Sequence, residues 1–517
     1  MAKFITAAEA ARLIPSNATV AVCAFVGTCH PEAVTKAVEK RFLTEGAPAN
    51  LTLYYCSGQG DGKDQSVNRF GHEGMIRRVI GGHWNLAPRL GKLAMDNKIE
   101  AYNFPQGSMC QWLRSIAGRK PGLLTKVGMS TFVDPRVEGG KLNSVTTEDL
   151  VEVVDFAGEE WLWFKPFPIN VAIIRGTTAD TRGNISLERE ATSLEQLSLA
   201  QATKACGGIV IAQVERVTEF GTIKPAAVKV PGLSVDYVVV AEPADHMQTF
   251  VEQYNPYFSG ELRAPLTALA PMPLDERKII ARRAAMELTP GVIGNLGIGM
   301  AEGVAAVANE EGIGDTMTLT VEAGVIGGIP ANGLNFGVAT NPEAIIDEPY
   351  QFDFYDSGGL DVAFLGLAET DGAGNINVSK FPGRIAGCGG FINITQNAKR
   401  VFFLGTFTTG GLKLQVADGR LAILTEGRAK KFVEKVEQIT FSGDYAKKVN
   451  QPVMYITERA VFNLTPQGVV LTEIAPGIDL ERDILAQMDF APIISPDLKL
   501  MDKRIFQPAP LGLSKAR

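Results

Sequence analysis

Short apolar runs of four to seven residues punctuate the chain at Thr19–Phe25, Leu51–Tyr55, Val235–Ala241, Val292–Leu296, Met317–Val321 and Val362–Leu365. Runs of this length, rich in Val, Leu and Tyr and bounded by polar or turn residues, predict buried strands. Between them the spacing lengthens to a helical period, as over Glu32–Phe42. Asp275 stands as an N-cap before a helix carrying Ile279, Ile280, Ala284 and Leu288, which Pro290-Gly291 ends. Strand and helix in alternation predict α/β architecture with largely parallel sheets.

The pattern also repeats. Residues 170–186 align without a gap on 361–377, with Val, Ala, Asp, Gly, Asn and Ile in register, and Val22–Val34 lies over Val292–Val304 with Gly27 on Gly297 and Glu32 on Glu302. Cys206-Gly207-Gly208 and Cys388-Gly389-Gly390 each read as a two-glycine turn entering an apolar strand. Ordered self-similarity on this scale points to duplication of a whole domain; shared α/β grammar without common origin is the alternative. The expectation is two α/β domains, 1–245 and 276–517, joined by a Pro-rich linker over 246–275. The tail from Pro496, with Pro508 and Pro510, is expected to wrap the surface.

At 517 residues there is chain enough for at least two cores. A net charge of −7 argues against a general nucleic-acid coat and leaves room for a local basic pocket. Six scattered cysteines form no C-x-x-C pair and are too dilute for a disulfide framework, so a cytoplasmic location is expected. Glu9 and Arg12 interrupt any apolar leader, and no apolar stretch is long enough to span a bilayer.

Several signatures are missing. There is no Gly-x-Ser-x-Gly elbow, His72-Glu73 lacks the second histidine of a zinc helix, and no Gly-Lys pair is followed by Ser or Thr. With four histidines in all, a mechanism needing no histidine base suits the chain.

Three segments carry candidate chemistry. In Met317-Thr-Leu-Thr-Val-Glu322-Ala-Gly324 a strand ends on a carboxylate, where open α/β sheets bind ligands. An ionised carboxylate can attack an acyl carbon unaided, although a lone strand-end glutamate equally caps a turn or pairs with a lysine. Gly387-Cys388-Gly389-Gly390 can bring backbone N–H groups against an oxyanion, or can simply be a tight turn. Gln106, in the loop-like Pro105-Gln106-Gly107, can donate a side-chain hydrogen bond. A fourth segment, Asn295-Leu-Gly297-Ile-Gly299, follows a strand and precedes a helix, which leaves a dinucleotide-dependent oxidoreductase open as an alternative. A non-catalytic nucleotide-binding protein is left open as well.

Taken in order, these motifs together with Leu471-Thr-Glu-Ile-Ala-Pro-Gly477 resemble those of family I CoA-transferases, and are most similar to the propionate/acetate type with both halves in one polypeptide. The resemblance implies two related open α/β domains with the active site in the cleft between them, and a ping-pong transfer of CoA between short-chain acyl-CoA and free carboxylic acids. It implies Glu322 as nucleophile, Gln106, Gly389 and Gly390 as oxyanion donors, and Gly387, Gly389, Gly390, Asn295, Gly297 and Gly299 around CoA. Lys380 and Arg384 are candidates for its phosphates. No metal or prosthetic group is implied; CoA is substrate and covalent intermediate, the partners are acyl-CoA and short-chain carboxylates, and a homo-oligomer is expected without nucleic acid or membrane. Ala323 stands where the ketoacid branch has Asn, and Cys23-Ala-Phe-Val-Gly27 departs from that branch's Gly-Gly-Phe-Gly.

Overall fold

The computed structural model describes residues 1–265 and 271–515. The chain forms two compact units, each discontinuous in sequence: Met1–Ala264 with Val321–Asp353 and Phe381–Asn393, and Pro265–Thr320 with Phe354–Lys380 and Ile394–Arg517. Of the expected linker, residues 246–264 belong to the first unit, where Thr249 donates to Asn335 Oδ1 at 2.6 Å and Phe258 packs with Ala191 and Val338. Residues 266–270 lie outside the described residues.

In the first unit the sheet runs Lys3–Phe4, Tyr237–Val240, Ile209–Thr218, Val171–Asp180, Thr19–Val22, Leu51–Tyr55, Ile76–Gly81, Glu100–Asn103, with these strands all parallel. Val171–Asp180 is buried along its whole length, as a central strand covered on both faces must be. The second unit repeats the middle of this order: Met317–Val321, Val292–Leu296, Val362–Gly366, Val401–Leu404 and Val453–Ile456 are parallel neighbours in turn. They answer Leu51–Tyr55, Thr19–Val22, Val171–Asp180, Ile209–Thr218 and Tyr237–Val240, so the internal repeat is one of topology as well as sequence. Glu32 and Glu302, aligned in that repeat, each open the helix after the equivalent strand, Glu32–Glu45 and Glu302–Glu310.

One expectation is overturned. Cys388-Gly389-Gly390 leads into a helix, Phe391–Gln396, where a strand was expected. Gly387 and Gly389 hold φ of 80° and 53°, which turns the chain back so that Cys388 O accepts from the Phe391 amide at 3.0 Å and starts a helical turn. The strand equivalent to Ile209–Thr218 is Val401–Leu404, further on. The tail runs over the surface as expected, with Pro496, Pro508 and Pro510 exposed, and is anchored to it: Ile493–Leu500 pairs parallel with Gly468–Ile474, and Ile505, Phe506 and Leu511 beyond it are buried. Arg282, itself buried, donates to the carbonyls of Ile505 at 3.1 Å, Gln507 at 2.5 Å and Ala509 at 3.0 Å, and this need for acceptors draws the tail inward. No helix among the described residues is long and apolar enough to cross a membrane.

Candidate active site

Glu322 is the first residue after the strand Met317–Val321 and opens a turn that the Gly324 amide closes on Val321 O at 3.0 Å. Its side chain is half-buried. Gly324 sits at φ 96°, and a Cβ there would lie 2.1 Å from Ile346 O, so only glycine allows the 346–348 backbone to pass this close. Ile346 N–H in turn donates to Gly324 O at 2.9 Å. The glutamate turn is thereby fastened to the segment that ends at Glu348.

Glu348 begins the helix Glu348–Asp356 and is fully buried. Its Oε1 accepts from Ser57 Oγ at 2.9 Å and from Gln106 Nε2. Gln106 is not a loop residue, as the sequence suggested; it opens the helix Gln106–Ala117 behind Pro105 and is 1% exposed. A helix leaves its first amides without internal partners. That of Gln106 donates to Gly389 O at 3.0 Å, and that of Gly107 to Asn393 Oδ1 at 3.1 Å.

The glycine turn is held from beneath by Asn103 at the end of the strand Glu100–Asn103. Its Oδ1 accepts from the Cys388 amide at 2.9 Å, while its Nδ2 donates to Gly81 O at 2.8 Å and Gly82 O at 2.6 Å. Gly389 N–H also donates to Gly82 O, at 2.8 Å. The amides of Cys388 and Gly389 are therefore engaged within the fold, and those of Gly387 and Gly390 lie outside these two bonds. His83 packs on the same turn: a Cβ on Gly387 would lie 2.8 Å from His83 Cα, and one on Gly389 3.6 Å from its Cδ2. His83 Nδ1 is buried with no partner among the described residues. Burial, helped by the Arg384 charge, lowers its pKa to about 4, so the imidazole is neutral at pH 7.

Glu195 lies beside Glu348, because Leu194 bridges Asp347 and its carbonyl accepts from the Glu348 amide at 3.1 Å. Burial, and then the neighbouring Glu195, pushes the Glu348 carboxyl well above its usual range; burial, and then Cys56, raises Glu195 to about 8. The structure thus links Glu322, Gln106 and the Gly387–Gly390 turn within the first unit.

Arg384 belongs to this unit too, exposed and donating to Asn85 Oδ1 at 2.7 and 3.1 Å. Asn295, Gly297, Gly299 and Lys380 belong to the second unit. There Asn295 donates to Thr320 O at 3.1 Å, the Gly297 amide to Phe364 O at 2.8 Å and the Gly299 amide to Glu302 Oε1 at 3.0 Å. Sequence reasoning missed Asn103, His83, Glu195 and Glu348. Asn103 alone left a signal, a polar residue closing an apolar strand just ahead of Pro105-Gln106.

Residues 4–241 match the family described as Coenzyme A transferase. The chain is 50% identical over 512 residues to the caffeate CoA-transferase of Acetobacterium woodii, covering 98% of each chain. It is 44% identical over 509 residues to the acetate CoA-transferase YdiF of Escherichia coli O157:H7, covering 98% of this chain and 96% of that one. The fold matches a crystal structure of the acyl-CoA transferase YdiF from E. coli O157:H7, in thioester complex with CoA, at a TM-score of 0.93, covering 99% of this chain and 97% of the other. Such relatedness over the full length defines the class: the chain belongs to the coenzyme A transferase family. It is an enzyme that moves CoA between acyl-CoA thioesters and acids, and the oxidoreductase and silent-binder alternatives give way to it.

Proposed function

We propose that the protein exchanges CoA between short-chain acyl-CoA thioesters and free carboxylates of the acetate, propionate and lactate class, through a thioester on Glu322. The observation that carries this reading is the position of Glu322, at a strand end and in a turn fastened through Gly324 and Ile346 to the segment bearing Glu348, which holds Gln106. Glu322 attacks the acyl carbonyl and expels CoA thiolate, leaving an acyl-glutamyl anhydride. The thiolate then attacks the glutamyl carbonyl and releases the first carboxylate, so that CoA is held as a thioester. An acceptor carboxylate runs the two steps backwards and leaves as its CoA ester. No water is consumed and no proton is gained or lost, which is why a site without a histidine base suffices.

Each attack places negative charge on an oxygen that needs donors at ~2.7–3.1 Å. One N–H of the Gln106 amide is engaged by Glu348, and its second serves this purpose in our reading, with the Gly390 amide beside it. Gly389 contributes by holding the turn. Gly387 contacts CoA in this reading, and Asn295, Gly297 and Gly299 are further candidates; Lys380 and Arg384 are candidates for its phosphates, which alanine variants assayed at several salt concentrations would test. All six cysteines are unpaired, which fits the cytoplasm, and the enzyme so read is a homo-oligomer.

A second reading concerns the acid. At 50% identity to a caffeate CoA-transferase, a bulkier aromatic acid is a candidate acceptor. Acetyl-CoA offered acetate, propionate, lactate, butyrate and caffeate separately decides between them. A kcat/KM highest for propionate or lactate supports the short-chain reading, and one highest for caffeate replaces it.

A further inference from the structure

Behind the proposed donors lie two carboxyl groups that the reaction itself does not use. Glu195 is 1% exposed and Glu348 0%. Glu348 Oε1 has two donors, Ser57 and Gln106, but Oε2 of Glu348 and Oε2 of Glu195 are buried with no donor among the described residues. One oxygen of each carboxyl, together with Cys110 Sγ, falls within 4.8 Å of the others. The remaining titratable groups that bear on the two carboxyls are Cys23 and Cys56, with Tyr54 close by; no cation is among them. Two carboxylates cannot both stay ionised in such a place, whereas one proton between them serves both orphaned oxygens.

We propose that Glu195 and Glu348 share a proton and form a positioning pair for Gln106, an inference that rests on Gln106 acting as an oxyanion donor. With the proton lodged between the carboxyls, Glu348 Oε1 is left purely an acceptor. The Gln106 amide must then turn its nitrogen toward it, because a flipped amide would set oxygen against oxygen. That orientation keeps the second N–H of the same nitrogen available for the reacting carbonyl. The pair is held rigidly: Leu194, next to Glu195, is kept at φ 53°, a left-handed conformation that a leucine adopts only where its surroundings impose it, and its carbonyl binds the Glu348 amide. Burial raises the pKa of both carboxyls and also keeps Cys23, Cys110 and Tyr54 neutral, so none of these three takes the proton away.

Infrared spectroscopy of the full-length protein at pH 7 should show the C=O band of a protonated carboxyl that is absent from the Glu195→Gln/Glu348→Gln double variant. Kinetically, Glu348→Ala should lower kcat about tenfold or more with little change in KM for acyl-CoA, and Glu348→Gln, whose amide mimics the protonated acid, should recover most of that loss. Absence of the band overturns the shared proton, as does a metal ion retained at one per chain by the Cys110, Glu195 and Glu348 group. Glu348→Gln as inactive as Glu348→Ala overturns the positioning role. If Glu348→Ala does not fold, the band and the glutamine variant still decide. A Gln106→Ala variant with wild-type transfer overturns the reading of Gln106 itself and leaves the band to report on the proton alone.

Discussion

Asn103 Oδ1 accepts the backbone amide of Cys388 at 2.9 Å, while its Nδ2 donates to both carbonyls of Gly81-Gly82. One buried side chain thus sets the height of the glycine turn above the sheet. Asn103→Ala takes this partner from the Cys388 amide and the Gly81 carbonyl and one of two donors from Gly82 O, which keeps the Gly389 amide, and should cost about 2–4 kcal/mol in urea unfolding. It should also lower kcat. Asn103→Asp keeps the acceptor and loses both donors, so it should fall in between on activity. An alanine variant that keeps wild-type kcat would show that the turn needs no such support.

The glycines of the turn should not be equivalent. At Gly387 the φ of 80° is joined by backbone contact, since a Cβ would lie 2.8 Å from His83 Cα and 2.9 Å from Trp84 N. At Gly389 the φ is 53° and a Cβ would meet only side-chain atoms, at 3.6 Å or more. Gly389→Ala should therefore cost about 1–2 kcal/mol, the left-handed backbone alone, and remain folded. Gly387→Ala adds a clash that no rotamer relieves and should cost about 3 kcal/mol or more. Thermal unfolding of the two variants tests the order, and the reverse order would refute it.

His83 makes a pH prediction. Its folded pKa is lowered to about 4 while an unfolded imidazole titrates near ~6.5, so below that value the unfolded chain binds the proton first. Its effect on stability is absent above pH ~6.5 and grows as a penalty as pH falls toward 4, of order 2 kcal/mol once partial exposure is allowed for. Glu195 and Glu348 act in the opposite direction, since their raised values make the folded state the better proton binder above ~4.5. The test is accordingly a difference: urea unfolding at pH 7 and pH 5 should show a smaller loss for His83→Gln than for wild type. Equal losses would mean that His83 is not held neutral by the fold.

The strands Leu51–Tyr55, Val292–Leu296 and Met317–Val321 and the Asp275 cap were legible because each depends on its own few residues: an apolar run between turns, or a carboxylate accepting an amide three residues on, as Asp275 does from Lys278 at 3.0 Å. The place of Glu322 at a strand end was legible for the same reason. The Glu195–Glu348 pair was not, since it exists only through the Leu194–Asp347 bridge between distant segments, and neither glutamate has a sequence context that distinguishes it from a surface residue. Cys388-Gly389-Gly390 misled because two glycines fix a turn but not the type of element it leads into. The answer depended on Asn103 and Gly82, which hold the turn so that Phe391 enters a helix.

Arg282 explains the tail and predicts its behaviour. Arg282 is 1% exposed, and its acceptors Ile505, Gln507 and Ala509 all belong to the C-terminal segment. Arg282→Ala should leave those carbonyls unpaired and cost about 3–5 kcal/mol. Arg282→Lys, with a point charge in place of a fork, should recover only part. Limited proteolysis should then cut beyond Leu500 in the alanine variant well before wild type. Equal resistance of the tail in both would show that the apolar contacts of Ile505, Phe506 and Leu511 hold it alone.

If Glu322 forms the thioester, incubation with acyl-CoA and no acceptor should add one CoA less one water to the peptide that contains it. Glu322→Ala should abolish both adduct and transfer, since no other carboxylate stands at the end of this strand. Glu322→Gln should be nearly inactive, because a neutral amide is a poor nucleophile toward a thioester. Glu322→Asp keeps the charge but withdraws the attacking oxygen by one methylene, and a displacement of about 1 Å is enough to cost on the order of 10²-fold. The half-buried position of the side chain predicts that the fold tolerates all three, so unfolding temperatures should stay close to wild type while kcat collapses. Borohydride, which reduces a glutamyl thioester to the alcohol, should inactivate the enzyme only after acyl-CoA has been added. Should the adduct or the reduced residue map to another carboxylate, or should the alanine variant transfer CoA at the wild-type rate, Glu322 is not the nucleophile.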